Sequence, residues 1–171
     1  MGGSIVSKYV GYLKYVDAIE LKAEYMVLGN KNENAALLLE NQGLYNEAVY
    51  MYIQSMEKKI KGYICGKINS ATPYFADKLK EVGHSLDKSI DFLIEILAGN
   101  DNILKIQLTE QIKSGVFQNI NFSQLHNNCR YPKYNYHKKD YSVLYITKED
   151  CSRIAKINNK LNTFINNFDR L

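Results

Sequence analysis

Ala35–Gly62 reads AALLLENQGLYNEAVYMYIQSMEKKIKG, punctuated as two helices joined by a tight turn. Ala35, Ala36, Leu37, Leu38 and Leu39 crowd the first part and predict a short helix over about Asn32 to Gln42. Gly43 closes it, since helices commonly end on a residue of positive φ, which glycine adopts without strain. Gly43-Leu44-Tyr45-Asn46 makes the turn, and Asn46 suits the cap of the next helix. Beyond it Val49, Ile53, Met56, Ile60 and Ile64 recur every three or four positions. That apolar stripe predicts a helix to about Lys67. Glu57, Lys58 and Lys61 lie largely off the stripe.

The same periodicity runs outward in both directions. Ile5, Tyr9, Leu13, Val16, Ile19, Ala23 and Met26 predict a first helix from about Ser4 to Leu28, stopped at Gly29-Asn30. Tyr9, Tyr12, Tyr15 and Tyr25 follow helical spacing and are expected in the core or an interface. After a loop over Asn69 to Thr72, Pro73 opens a short helix that ends at Gly83. A helix from about Ser85 to Ala98 turns Leu86, Ile90, Leu93, Ile94 and Leu97 inward. Others span about Asp101 to Lys113 and Phe122 to Asn127. Asn128 to Tyr145 is rich in Asn and Tyr, lacks a period, and is expected to be a long loop. The last helix runs from about Lys148 to Phe168, capped by Thr147, with Glu149 and Asp150 at its positive end. Its stripe is Ile154, Ile157, Leu161, Phe164 and Phe168. These elements predict an all-α, antiparallel up-down bundle. It forms a single domain over 1–171, in which 1–30 is an added N-terminal helical extension on a 31–171 core.

Composition agrees. The chain has 171 residues, 46% of them hydrophobic, with two prolines and ten glycines. That is enough to bury a core without disulfide or metal staples, and too few breakers for a strand-rich fold. Cys65, Cys129 and Cys151 form no CxxC pair, so reduced thiols of a cytoplasmic protein are expected. No apolar run reaches the length of a membrane span. The N-terminus lacks a signal-peptide pattern, and Val6 stands where myristoylation requires Ser or Thr. Nucleotide-loop, dinucleotide, zinc and Ser-His-Asp patterns are absent, so neither a cofactor nor a metal is expected. Net charge is +4, which permits an anionic partner without demanding one.

Against this background Cys129–Lys139, CRYPKYNYHKK, stands out. Arg130 and His137, one of three arginines and one of three histidines, are seven positions apart. A guanidinium grips a phosphate through two donors, and an imidazole exchanges a proton near neutral pH. Lys133, Lys138 and Lys139 alternate with Tyr131, Tyr134, Tyr136 and Tyr141. Such lysines meet phosphates and such rings stack on unpaired bases. The alternative is a solvated loop whose tyrosines pack back on the bundle. For Arg130 and His137, the alternative to a catalytic pair is a structural arginine beside an unrelated exposed histidine. For Glu57 and Lys61, one helical turn apart, it is a surface ion pair. His84 is expected to cap or pack at a helix start. His126, near Arg130, is the reserve proton carrier.

The Gly43-Leu44-Tyr45 turn, followed by Ala48, Gln54, Glu57, Lys58 and Lys61, resembles the opening of HEPN domains. In that family a Gly-x-Tyr turn precedes a Gln-x-x-Glu-Lys-x-x-Lys helix. Gly83-His84-Ser85-Leu86 is similar to the family's Gly-His-x-Leu, and Cys129-Arg130-Tyr131-Pro132 to its Ala-Arg-Tyr-Pro element. The likeness spans roughly Asn32 to Phe168 in four ordered patches. It implies a dimeric, metal-independent endoribonuclease of the defence or toxin type. Six residues separate Arg130 from His137, within the family's range. The resemblance makes His137 the general acid/base and Arg130 the group that steadies phosphate charge. It also puts Glu57 and Lys61 beside Arg130. The second expectation is a non-catalytic module that binds RNA, a nucleotide or a partner protein. The third is a helical dimer subunit serving a nucleotidyltransferase encoded elsewhere.

Overall fold

The structure, a computed structural model, describes residues 5–7, 11–13 and 19–168, the first two segments and Phe168 by their backbone alone. Among the described residues the chain is an all-α helical bundle with two small hairpins. The first hairpin pairs β1 (Ile5–Ser7) antiparallel with β2 (Gly11–Leu13). The helices are α1 (Leu21–Asn41), α2 (Tyr45–Cys65), α3 (Pro73–Val82), α4 (Leu86–Ala98), α5 (Asn102–Thr109), α6 (Phe122–Asn128) and α7 (Lys148–Phe168). A π-helix, Glu110–Val116, continues α5.

α2 is the central element, packed against α1, α4, α6 and α7. Its stripe of Val49, Ile53, Met56, Ile60 and Ile64 is fully buried, as expected. So is nearly everything else on it. From Tyr52 to Cys65 every residue except Lys58 is buried, including Gln54, Glu57, Lys59 and Lys61. A helix covered on all sides must place its charges in partnered sites, because an unpaired buried charge is very costly.

The expected first helix, its stop and the second helix are corrected. Two short strands occupy part of the range expected to be helical, and their Ile, Val and Tyr residues suit a pleated backbone. The side chains of Tyr9, Tyr12 and Tyr15 lie outside the described residues. From Leu21 onward one helix runs through Gly29-Asn30 to Asn41, so a division at residue 30 would cut a continuous element. Gly29 is a contact point rather than a stop. A Cβ there would sit 2.8 Å from Lys59 Cγ and 3.3 Å from the Ser55 carbonyl oxygen. A Cβ on Gly62 would meet the Met26 side chain at 3.0 Å. Two glycines therefore let α1 and α2 approach closely. The inward face of α1 is Tyr25, Gly29, Glu33 and Ala36, while Leu37 and Leu38 are exposed.

The turn at Gly43 matches its reading. Gly43 has φ +75°, and the Leu44 N–H reaches back to the Leu39 carbonyl, which closes the helix end. Asn46 does not cap α2. Its amide donates to the Leu144 carbonyl (2.7 Å), and its oxygen accepts from the Ile146 N–H (3.0 Å). Those bonds pin the segment entering α7 onto the start of α2. Thr147 caps α7 reciprocally with Asp150. Ile154, Ile157 and Leu161 are buried and Phe164 is half-buried. The side chain of Phe168 lies outside the described residues.

The long loop is the other correction. Within it β3 (Lys133–Asn135) and β4 (Asp140–Ser142) form an antiparallel hairpin, with Tyr134 opposite Tyr141. The Asn135 side chain accepts from the N–H groups of His137 and Lys138, and Lys139 takes a positive φ of 54°. These turn devices are short and leave no periodic signal. Among the described residues no helix is long and apolar enough to cross a membrane.

Candidate functional site

A polar stripe runs along one face of α2. Tyr50, Gln54, Glu57 and Lys61 are spaced four, three and four apart, which stacks them on one face. That face meets the end of α6 and the turn between α3 and α4. Glu57 is 2% exposed. It accepts from Lys61 Nζ (2.5 Å) and Gln54 Nε2 (3.3 Å), and His84 Nδ1 lies 3.6 Å away. Lys61, 5% exposed, also donates to the Gly83 carbonyl at 2.5 Å. The pair is thus buried rather than on the surface, and it ties α2 to the α3–α4 turn. His84 does not cap α4, a role taken by Ser85; its exposed ring sits at the mouth of this site.

α6 brings the remaining parts. Its first turn is held by Asn121 and by Asp87, which accepts from the N–H groups of Phe122 and Ser123. One turn later His126 packs on the Tyr50 ring, centroids 4.9 Å apart, with its Nε2 3.0 Å from Gln54 Nε2. Arg130, four residues on, lays its guanidinium over the Tyr50 ring at 5.1 Å and the Tyr131 ring at 4.7 Å. It donates to the Tyr131 hydroxyl at 2.5 Å. Tyr50 therefore joins His126 to Arg130 through ring stacking and a cation–π contact.

The Gln54 contacts fix the state of His126. The amide nitrogen faces the Glu57 carboxylate and His126 Nε2, while the amide oxygen accepts from Lys58 at 2.9 Å. Nε2 is then an acceptor and the ring is neutral. Burial holds the imidazole below its ordinary pKa, and the Arg130 charge acts the same way. A hydrogen bond with Asn127 and the Glu57 charge oppose them. Burial also lowers the Lys58 ammonium, and nearby Lys61 adds to it against Glu57.

A pH dependence follows. The unfolded chain takes up a proton at His126 near the free value of about 6.5, before the folded chain does. Stability is complete above that pH and falls as pH drops toward the lower folded value. Urea midpoints should therefore decline as pH falls from about 7.5 through the free value and on toward the lower folded one, and His126→Gln should flatten that decline. An unchanged decline in the variant would assign it to another group.

His137 sits elsewhere. It lies on the exposed connection of the β3–β4 hairpin, and among the described residues no hydrogen bond, ion pair or ring contact links it to Arg130. The histidine gathered with Arg130 is His126. Tyr134 contacts Tyr136 and Tyr141 edge-on, centroids 5.0 and 5.1 Å away. Tyr136 is 83% exposed and Tyr141 73%. Tyr134, Tyr136 and Tyr141 cluster on one another, while Tyr131 packs on Arg130. Lys133, Lys138 and Lys139 are exposed around them. A concavity of about 400 Å³ is lined by Lys133, Tyr134, Asn135, Tyr136, His137 and Ser142.

Tyr50 was missed in the sequence, although its spacing with Gln54, Glu57 and Lys61 was visible. The cysteines are free; burial pushes Cys65 and Cys129 up to about 11 and Cys151 to about 12, which leaves the thiols protonated and unreactive. Among the described residues no group of three His, Cys, Asp or Glu is arranged to hold a metal ion. The chain matches no protein-family model, no curated protein and no solved structure.

Proposed function

We propose that this chain binds single-stranded RNA through the β3–β4 hairpin and Arg130. The observation that carries the reading is the set of exposed rings between Tyr131 and Tyr145, with Lys133, Lys138 and Lys139 among them. Rings left in water that way offer stacking faces for unpaired bases, and the lysines offer charge to the backbone. Arg130, stacked between two tyrosines, presents a planar donor for phosphate. The resemblance of Arg130-Tyr131-Pro132 and the α2 signature to HEPN domains favours RNA over other anions.

The test is fluorescence anisotropy of a labelled single-stranded RNA across a salt series in EDTA. Binding should weaken with salt. Replacing Lys133, Lys138 and Lys139 together by Gln should reduce the log–log salt slope by about 2, at roughly 0.7 per lost phosphate contact on a single strand. Tyr136→Ala with Tyr141→Ala should cost about 1–3 kcal/mol per stacked base. Affinity indifferent to all five substitutions would refute the hairpin as the RNA surface.

A second reading, metal-independent RNA cleavage, is favoured by His126 and Arg130 sharing one site on Tyr50. A neutral imidazole released by Gln54 could accept the proton of a ribose hydroxyl, and Arg130 could steady the phosphate. Cleavage to cyclic-phosphate ends, lost in His126→Ala and kept in His137→Ala, would establish it. Loss in His137→Ala alone would return the role to His137.

A further inference from the structure

On the flank formed by the π-helix and α7, a groove of about 740 Å³ opens to the surface. That volume lies in the range of small-molecule sites. Its apolar parts are Gly115, Val116 and Phe164; Lys156 and Lys160 stand one turn apart along α7, and among the described residues no carboxylate lines it. Both lysines are exposed and neither has an ion-pair partner among the described residues. The groove thus joins an apolar surface to a pair of positive charges.

The π-helix is the second observation. Its wide turns, marked by the Phe117 N–H reaching the Ile112 carbonyl five residues back, replace the α-helix expected through Lys113. Such insertions are rare and recur at functional sites. Here the wide turn leaves space above Gly115, where an added Cβ would find only the Glu110 carbonyl oxygen, 3.9 Å away. Arg153, three residues before Lys156, donates from Nε to Gln118 Oε1 at 2.8 Å, which links α7 to the exit of the π-helix. Both walls are regular helical segments, and the opening is present without a ligand.

We infer that this groove binds a small amphipathic anion, with an apolar or aromatic body over Gly115, Val116 and Phe164 and a carboxylate, phosphate or sulfonate against Lys156 and Lys160. The charge pattern selects the occupant. An apolar ligand alone would leave the lysines unused, and a compact inorganic anion would leave the apolar surface uncovered. The groove is separate from the α2–α6 site, so the inference stands whatever becomes of the RNA reading.

The test uses the full chain with anilinonaphthalenesulfonate, whose fluorescence rises in apolar sites, and decanoate as competitor. One-site binding displaced by decanoate is expected. Gly115→Phe fills the open space, and Lys156→Gln with Lys160→Gln removes the charge. Each change should weaken binding about tenfold, a difference of about 1.4 kcal/mol. If Gly115→Phe alters the circular dichroism, the exposed lysine pair decides alone. Affinity unchanged in the lysine pair overturns the inference. So does probe binding that falls as the chain self-associates in sedimentation, which would give the groove to a second copy.

Discussion

Lys61→Met should lower the stability of this protein by about 3–5 kcal/mol, the cost of leaving one member of a buried ion pair uncompensated. The wild-type side chains are 6% and 2% exposed for Lys61 and Glu57, so water cannot replace the lost ammonium. The Gly83 carbonyl loses its donor as well. Of the remaining groups near Glu57, Gln54 offers one N–H at 3.3 Å, and His84 lies 3.6 Å away on an exposed ring. Against a total stability of about 5–15 kcal/mol, this is a large fraction of the fold. The urea midpoint followed by circular dichroism is the measurement. Glu57→Met combined with Lys61→Met should recover most of the loss, because an apolar pair of similar volume needs no partner. Should the double variant be as unstable as Lys61→Met, the damage would come from the freed α3–α4 turn rather than from the stranded carboxylate. The same pair holds Gln54, and through it His126, so binding or cleavage at the α2–α6 site should suffer in Lys61→Met even where the chain remains folded.

The parts of the fold legible in the sequence were those with one dry face. α2, α4 and α7 declare themselves by apolar residues every three or four positions. Pro73, Gly83 and Gly99 punctuate the chain where α3 and α4 begin or end. α1 was misread because its inward face is Tyr25, Gly29, Glu33 and Ala36. A glycine kept for close packing and a glutamate kept for a buried lysine look, in one dimension, like a stop and a solvent face. The β3–β4 hairpin was misread because three-residue strands with both faces wet carry no period. At the site, Glu57, Lys61 and Arg130 were found from their motif. The pairing of Arg130 with His137 rested on distance along the chain. The short route in space runs backward along α6 instead, because four residues is about one helical turn. Which histidine shares a site with an arginine is set by the direction of the intervening chain, and past Pro132 that chain enters the hairpin that carries His137.

Glu33→Gln should cost about 3 kcal/mol at neutral pH, and the loss should vanish in acid. Lys59 is 3% exposed and donates to Glu33 (2.6 Å) and to Asn162 (2.8 Å). Asn158 and Asn162 donate to the other carboxylate oxygen at 2.5 and 3.1 Å. Glutamine can still accept hydrogen bonds there but leaves the Lys59 charge unpaired. The figure is the low end for a stranded buried charge, since the Glu33 side chain keeps 20% of its surface exposed. Burial alone would raise the Glu33 pKa; the Lys59 contact and the two amides outweigh it and hold the carboxyl below its ordinary value. A depressed carboxyl contributes stability above its unfolded pKa, about 4.3, and loses that contribution as pH falls through the folded value. Wild type and Glu33→Gln should therefore differ most near neutrality and converge below the folded pKa, while the His126 decline, lying at higher pH, should be shared by both. Parallel curves down to acid would mean that the amides, not the charge of Glu33, are what Lys59 depends on.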